Sequence, residues 1–136
     1  MGRNAVILLD TCAIIWDALE PAKLTDSAKD AIEKADEHHA LIISDISIWE
    51  IAMLIKRSRI EVATTSANFV NLFLESRNIS VVSISPEIAE LSTNFSPEIN
   101  NDPADRIIAA TSIIYNAQLV TADSNLRQSS LIDTIW

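Results

Sequence analysis

One glycine, Gly2, is present in the whole chain. A Gly-rich phosphate loop of either common kind, GxxxxGK(S/T) or GxGxxG, therefore cannot be built, and nucleotide binding by those devices is excluded. One cysteine, Cys12, excludes an internal disulfide and fits a reducing compartment, so a cytoplasmic location is expected. No apolar run approaches the roughly 18–20 residues that a membrane span needs. The opening Met1-Gly2-Arg3-Asn4 leads into Ala5–Leu9, where Asp10 interrupts, which makes a poor secretory signal. Val6 stands where a myristoylation signal needs Ser or Thr. Basic residues are scarce: 10 Lys and Arg face 19 Asp and Glu, for a net charge of −9. That field repels nucleic-acid phosphates at long range and argues against a general DNA-coating protein. The formal charge misleads only where acids surround a bound cation.

What is present is a core. Of 136 residues, 49% are hydrophobic and 21% charged, which favours one packed domain, residues 1–136, over disorder. No linker, repeat or low-complexity stretch divides the chain. Ala5–Leu9 reads as a strand buried on both faces, followed by a helix from Thr11 to Leu19 that Pro21 ends. Ser27 to His38 places Ala28, Ala31, Ile32 and Ala35 on one helical face. A second strand at 41–43 precedes a helix from Ile46 to Lys56, and Ser66 to Arg77 forms another. Ile79 to Ile84 is a β-branched run and a third strand. Ser85-Pro86 and Asp102-Pro103 are helix starts, each with a cap residue before Pro at the first helical position, and the second opens a helix through Tyr115. Residues 118–121 form a fourth strand, and 132–136 a short last one. The alternation predicts an α/β fold: a mostly parallel sheet of four or five short strands with helices on both faces.

Ligands of such sheets bind in the crevice at the carboxyl ends of the strands. Asp10 ends the first strand, and Asp123 lies just past the fourth. Glu50 and Asp105 each lie about one turn into a helix at the same edge. Each acid has an ordinary structural reading. Ser47-Ile48-Trp49-Glu50 has the form of a capping box. Asp102 and Asp10 can cap helices, Asp105 suits the dipole of a first turn, and Asp123 can close an Asx-turn. Four such coincidences at one edge are less economical than one acidic pocket. Like charges raise one another's pKa, so a pocket of four carboxylates calls for protons or a cation. All-oxygen donors suit Mg²⁺ or Mn²⁺, and the chemistry then implied is metal-assisted hydrolysis of a phosphodiester.

At this point the residues resemble a known family. Leu8-Leu9-Asp10-Thr11, Ser47-Ile48-Trp49-Glu50-Ile51-Ala52, Asp102-Pro103-Ala104-Asp105-Arg106 through Thr111, and Leu119-Val120-Thr121-Ala122-Asp123 occur in the order found in PIN-domain ribonucleases of the VapC toxin type. The resemblance runs over nearly the whole length. It implies an acidic quartet of Asp10, Glu50, Asp105 and Asp123 holding Mg²⁺ or Mn²⁺ and activating water to cleave RNA. It also implies a small antitoxin partner whose tail covers the pocket, and homodimerisation. By the same resemblance Thr121 orients the last acid, Asn125 is an outer ligand through water, and Asp102 is the helix cap. Arg106 follows Asp105 and is read as pairing with an acid rather than with RNA; Thr11 is a further candidate beside the site. Relatives often carry a lysine four residues after the glutamate and a glycine near the end of that helix. Leu54 and Ser58 stand there instead, departures that bear on RNA affinity and substrate choice.

Lys56-Arg57-Ser58-Arg59 is the one basic cluster; it reads equally well as a solvated helix end or as a phosphate contact. His38 and His39 are adjacent and do not share a helix face, which argues against a joint metal site. Cys12 is expected to be a small buried residue, and Trp16, Trp49 and Trp136 to lie in the core or a dimer interface. A receiver domain of the response-regulator kind needs a lysine after a late strand, whereas the last lysine here is Lys56. A haloacid-dehalogenase-type phosphatase needs a second Asp two places after the first, where Cys12 stands. The remaining alternative is a PIN fold serving as an interaction module with little catalysis.

Overall fold

The computed structural model describes residues 5–136. They form β1 (Ile7–Leu9), α1 (Thr11–Leu19), a 3-10 turn (Pro21–Lys23), α2 (Asp26–Glu37), β2 (Leu41–Ser44), α3 (Asp45–Lys56) and α4 (Ser66–Ser76). Then follow β3 (Ile79–Val82), α5 (Pro86–Thr93), α6 (Pro103–Ile114), β4 (Gln118–Val120), α7 (Ser124–Gln128) and β5 (Thr134–Ile135). All four strand pairings are parallel, and the sheet order is β3-β2-β1-β4-β5. The order reverses direction between β1 and β4, which makes that edge the place where connections diverge and a crevice opens.

Alternation along each strand builds two cores. Ile7 and Leu9, Leu41 and Ile43, and Val120 point to one face, where they meet Ile14, Ile32, Ile51, Phe69 and Phe73. Leu8, Ile42 and Leu119 point to the other and meet Ile99, Ile108 and Leu126. Burial on both faces explains why the central strands read as unbroken apolar runs. β3, at the sheet edge, is exposed at its middle residues Ser80 and Val81. Arg77 ties helices to this edge: its guanidinium donates to both oxygens of Asp17 in α1 (2.7 and 2.9 Å) and to Asp36 in α2 (3.1 Å).

Every α-helix among the described residues begins with a side-chain cap: Asp10, Thr25, Ser44, Thr65, Ser85, Asp102 and Asp123 each accept a backbone N–H. Three helices end in the paired 6→1 and 5→2 bonds of the Schellman motif: Ala40 N to Ala35 O with His39 N to Asp36 O, and the equivalent bonds of Arg59 and Ser58 and of Ala117 and Asn116. The motif needs a left-handed residue. Without glycine there, His39 (φ 54°), Ser58 (φ 56°) and Asn116 (φ 50°) take it, at a cost of about 1 kcal/mol or more for a residue with a Cβ. Ser58→Gly is therefore expected to stabilise the fold by about 0.5–1 kcal/mol, read as a thermal midpoint raised by roughly 2–4 °C. An unchanged or lowered midpoint would contradict this account.

Several boundaries differ from the sequence reading. β1 begins at Ile7 rather than Ala5, and β3 stops at Val82 rather than Ile84. Ile84 is instead the residue whose N–H reaches Asp45 Oδ2 (3.4 Å). α3 starts at Asp45 with Ser44 as its cap, so Ser47 and Glu50 are not a capping box. Helix α7, capped by Asp123, was not anticipated; at five residues it is too short for a periodic pattern. Among the described residues, no helix is long and apolar enough to cross a membrane.

Candidate active site

Parallel register places the first acid. Leu9 aligns with Val120 on one side and Ile43 on the other, so Asp10 emerges beside Thr121, and its N–H bonds Val120 O (3.2 Å). Asp10 Oδ1 accepts from Ala13 N (2.7 Å) and caps α1. The residue is only 8% exposed. Burial, together with the charges of Asp123 and Glu50, pushes its carboxyl up to about 6 against the lowering effect of the Thr121 hydroxyl and the Ala13 N–H. The Thr121 hydroxyl also accepts from Asp123 N (3.0 Å), so one side chain links the ends of β1 and β4.

Asp123 Oδ1 accepts from Leu126 N (2.9 Å) and caps α7. Glu50 lies one and a half turns into α3, where the Thr11 hydroxyl donates to its Oε1. Thr11 also pairs with the fully buried Ser47 hydroxyl (3.0 Å). Desolvation raises the Glu50 carboxyl, offset by Thr11 and reinforced by Asp102. Asp105 follows the Asp102 cap, which accepts its N–H (3.0 Å), and its Oδ2 accepts from Asn100 Nδ2 (3.0 Å). Desolvation, with Asp102, Asp123 and Glu50, pushes its carboxyl up to about 6, against the Asn100 bond.

Asp10, Thr11, Cys12, Trp16, Glu50, Leu54, Asp105, Ala122 and Asp123 line one pocket of about 370 Å³. Acids from four separate segments thus share a cavity at the sheet's switch point. Each has one oxygen fixed by a protein donor. The second oxygens of Glu50, Asp105 and Asp123 accept from no protein donor among the described residues. The carboxylates do not close on a single point: among the described residues, no three His, Cys, Asp or Glu side chains form a ready-made ligand group.

The PIN domain family matches residues 7–130. Over 121 residues, 89% of each chain, the sequence is 36% identical to ribonuclease VapC22 of Mycobacterium tuberculosis. The chain belongs to the PIN-domain family, in its VapC branch. The fold agrees with that of VapBC2 from Rickettsia felis, crystallised bound to a promoter DNA fragment: TM-score 0.72, 17% identity, covering 94% of this chain and 96% of that one. It also agrees with DNA-bound VapBC from Salmonella typhimurium: TM-score 0.70, 14% identity, covering 96% and 97%.

In this PIN domain the remaining sequence candidates fall into place differently. Among the described residues Arg106 pairs with no acid. Its guanidinium donates to the carbonyls of Asn100 (2.7 Å) and Ile99 (3.0 Å), with longer bonds to Ser92 and Phe95, because the loop before α6 offers unpaired carbonyls to a planar five-donor group. Asn125 is committed to protein: its Oδ1 accepts from Asn100 N (3.0 Å) and its Nδ2 donates to Glu98 O (3.0 Å). Lys56 and Arg57 are exposed at the end of α3 and enter no ion pair among the described residues. Cys12 is exposed rather than buried, since it lies on the side of α1 that opens to the pocket. Desolvation and the four surrounding acids push its thiol up to about 11, which keeps it protonated and a poor nucleophile. Trp16 packs on Trp136 with ring centroids 5.7 Å apart, whereas Trp49 is 56% exposed and belongs to no core. Sequence reasoning missed Asn100 and read Ser47 as a helix cap rather than as the partner of Thr11. Nothing in an Asn-Asn-Asp-Pro run marks the first, and a serine three residues before a glutamate looks like a cap.

Proposed function

We propose that this PIN domain is a Mg²⁺- or Mn²⁺-dependent endoribonuclease, the toxin of a type II toxin–antitoxin pair. The observation that carries the reading is the gathering of Asp10, Glu50, Asp105 and Asp123 in one pocket, in a chain 36% identical to a ribonuclease VapC. The donor set fits such an ion. It is all oxygen, no cationic side chain lines the pocket, and burial and mutual repulsion already disfavour the charged forms of Asp10 and Asp105. Because the carboxylates stand apart, they would hold the ion partly through water, as Mg²⁺ commonly prefers. Bound there, the ion would neutralise the pocket, polarise a phosphoryl oxygen and make water more acidic.

The chain's own residues supply the rest. The Ala13 and Leu126 N–H groups, the Thr11 hydroxyl and the Asn100 amide orient one oxygen of each acid, leaving the site pre-arranged. Thr121 keeps Asp10 and Asp123 in fixed relation. Lys56 and Arg57 extend the helix that carries Glu50 and Leu54, and can meet substrate phosphates beyond the pocket. The net charge of −9 suits a basic antitoxin segment over the acidic pocket, and the exposed Trp49 suits a homodimer or antitoxin contact.

Total cellular RNA is the right first substrate, with cleavage ends mapped after incubation with Mn²⁺ or with chelator. Discrete cuts that need the ion and vanish in Asp105→Asn are expected. No cuts from a folded, ion-binding protein on RNA from several sources would favour the interaction module. Cuts that persist in Asp105→Asn would overturn the site assignment.

A further inference from the structure

Asn100 lies outside the acidic quartet and does not line the pocket, yet its side chain makes three hydrogen bonds, one of them to a pocket acid. Its Nδ2 donates to Asp105 Oδ2 (3.0 Å) and to Asn125 Oδ1 (3.2 Å). Its Oδ1 accepts from Asp102 N (2.8 Å), closing an Asx-turn onto the cap of α6. Its backbone is held on both sides: the N–H by Asn125 Oδ1 (3.0 Å) and the carbonyl by Arg106 Nε (2.7 Å). Asn125 is anchored in turn at Glu98 O, and Arg106 at Ile99 O. The preceding residue, Ile99, is fully buried.

This is more fixing than a turn needs. A turn requires the Oδ1 bond; it does not require the amide to point at a carboxylate. Asp105 sits in the first turn of α6, where an aspartate side chain has several rotamers open to it. The one donor aimed at it among the described residues is Asn100 Nδ2. We infer that Asn100 is a positioning residue: it holds Asp105 Oδ2 so that Oδ1 stays turned to the pocket, and Asn125 and Arg106 hold Asn100. The inference rests on the proposed ion site. Groups that orient a ligand from behind commonly change metal affinity by about 10–100-fold when removed.

Asn100→Ser tests it. A serine hydroxyl keeps the short turn to Asp102 N, in the manner of an ST-turn, but falls short of Asp105. The readout is the Mn²⁺ dissociation constant, measured by calorimetric titration of the full chain, in four proteins: wild type, Asn100→Ser, Asp105→Asn and the double variant. The expected result is about tenfold weaker binding for Asn100→Ser. In the Asp105→Asn background the same change is expected to shift binding by less than twofold, because the residue acts through Asp105. A purely structural role would weaken both backgrounds alike, and that outcome overturns the inference. So does wild-type affinity in a folded Asn100→Ser protein. Should the serine variant not fold, Asn125→Ser loosens the same support, and the same fourfold comparison decides. Failure of the wild type to bind Mn²⁺, or full affinity in Asp105→Asn, would instead overturn the ion site itself.

Discussion

Asp10→Asn is expected to reduce RNA cleavage by on the order of a thousandfold and, at the same time, to make the metal-free protein more stable. The two effects have one cause. Asp10 is 8% exposed and its carboxyl is pushed up to about 6 from an ordinary 3.8. The folded state therefore binds its proton more tightly than the unfolded chain. The stability this confers is complete below about pH 4 and is lost as pH rises through 6. At pH 8 the buried charge is a burden that an amide does not impose. Asparagine caps a helix about as well as aspartate, so the bond from Ala13 N survives. A gain of about 2 kcal/mol at pH 8 is expected, shrinking towards zero at pH 4. Thermal or urea unfolding at the two pH values, without divalent ions, measures it. A variant that is destabilised at pH 8 would show that Asp10 is held by favourable contacts rather than strained for function.

Divalent ions are expected to narrow that difference. At Mn²⁺ tenfold above its dissociation constant the wild type gains about 1.4 kcal/mol, or roughly 3–6 °C. Asp10→Asn gains almost none. The gain is also expected to depend on pH, because ion and protons compete for the same carboxylates. Asp10 and Asp105, both at about 6, are largely protonated at pH 5 and largely charged at pH 7.5. Stabilisation by Mn²⁺ at pH 7.5 and its loss at pH 5 form the expected pair of melting curves. Equal stabilisation at both values would place the ion elsewhere on the protein.

Asp10 and Asp102 are helix caps, as local rules suggest, and Asp123, expected to close an Asx-turn, caps α7. Capping occupies one oxygen of Asp10 and Asp123 and still leaves both residues in the pocket. The cap is what aims the carboxylate, so the two readings were never exclusive. Glu50 differs. Its capping box fails because Ser44, not Ser47, begins α3. Two serines three residues apart cannot be ranked as caps from local sequence. The choice follows from where β2 ends, and its last residue, Ser44, pairs with Val82 of β3.

By itself the sequence determined the α/β class, the short buried strands, the caps Asp10, Ser85 and Asp102, and the four acids as candidates. These follow from short-range rules: alternation, helical spacing and cap chemistry within a few residues. The tertiary structure decided the sheet order β3-β2-β1-β4-β5, and with it the meeting of β1 and β4 that brings Asp10 beside Thr121. It also decided that Arg106 binds carbonyls, that Cys12 faces the pocket, that Thr11 and Ser47 support Glu50, and that Asn100 holds Asp105. Most of these links join residues distant along the chain, and even the near ones depend on how the loop before α6 is held. Hydrogen-bond directions of this kind exist only once packing has brought the segments together.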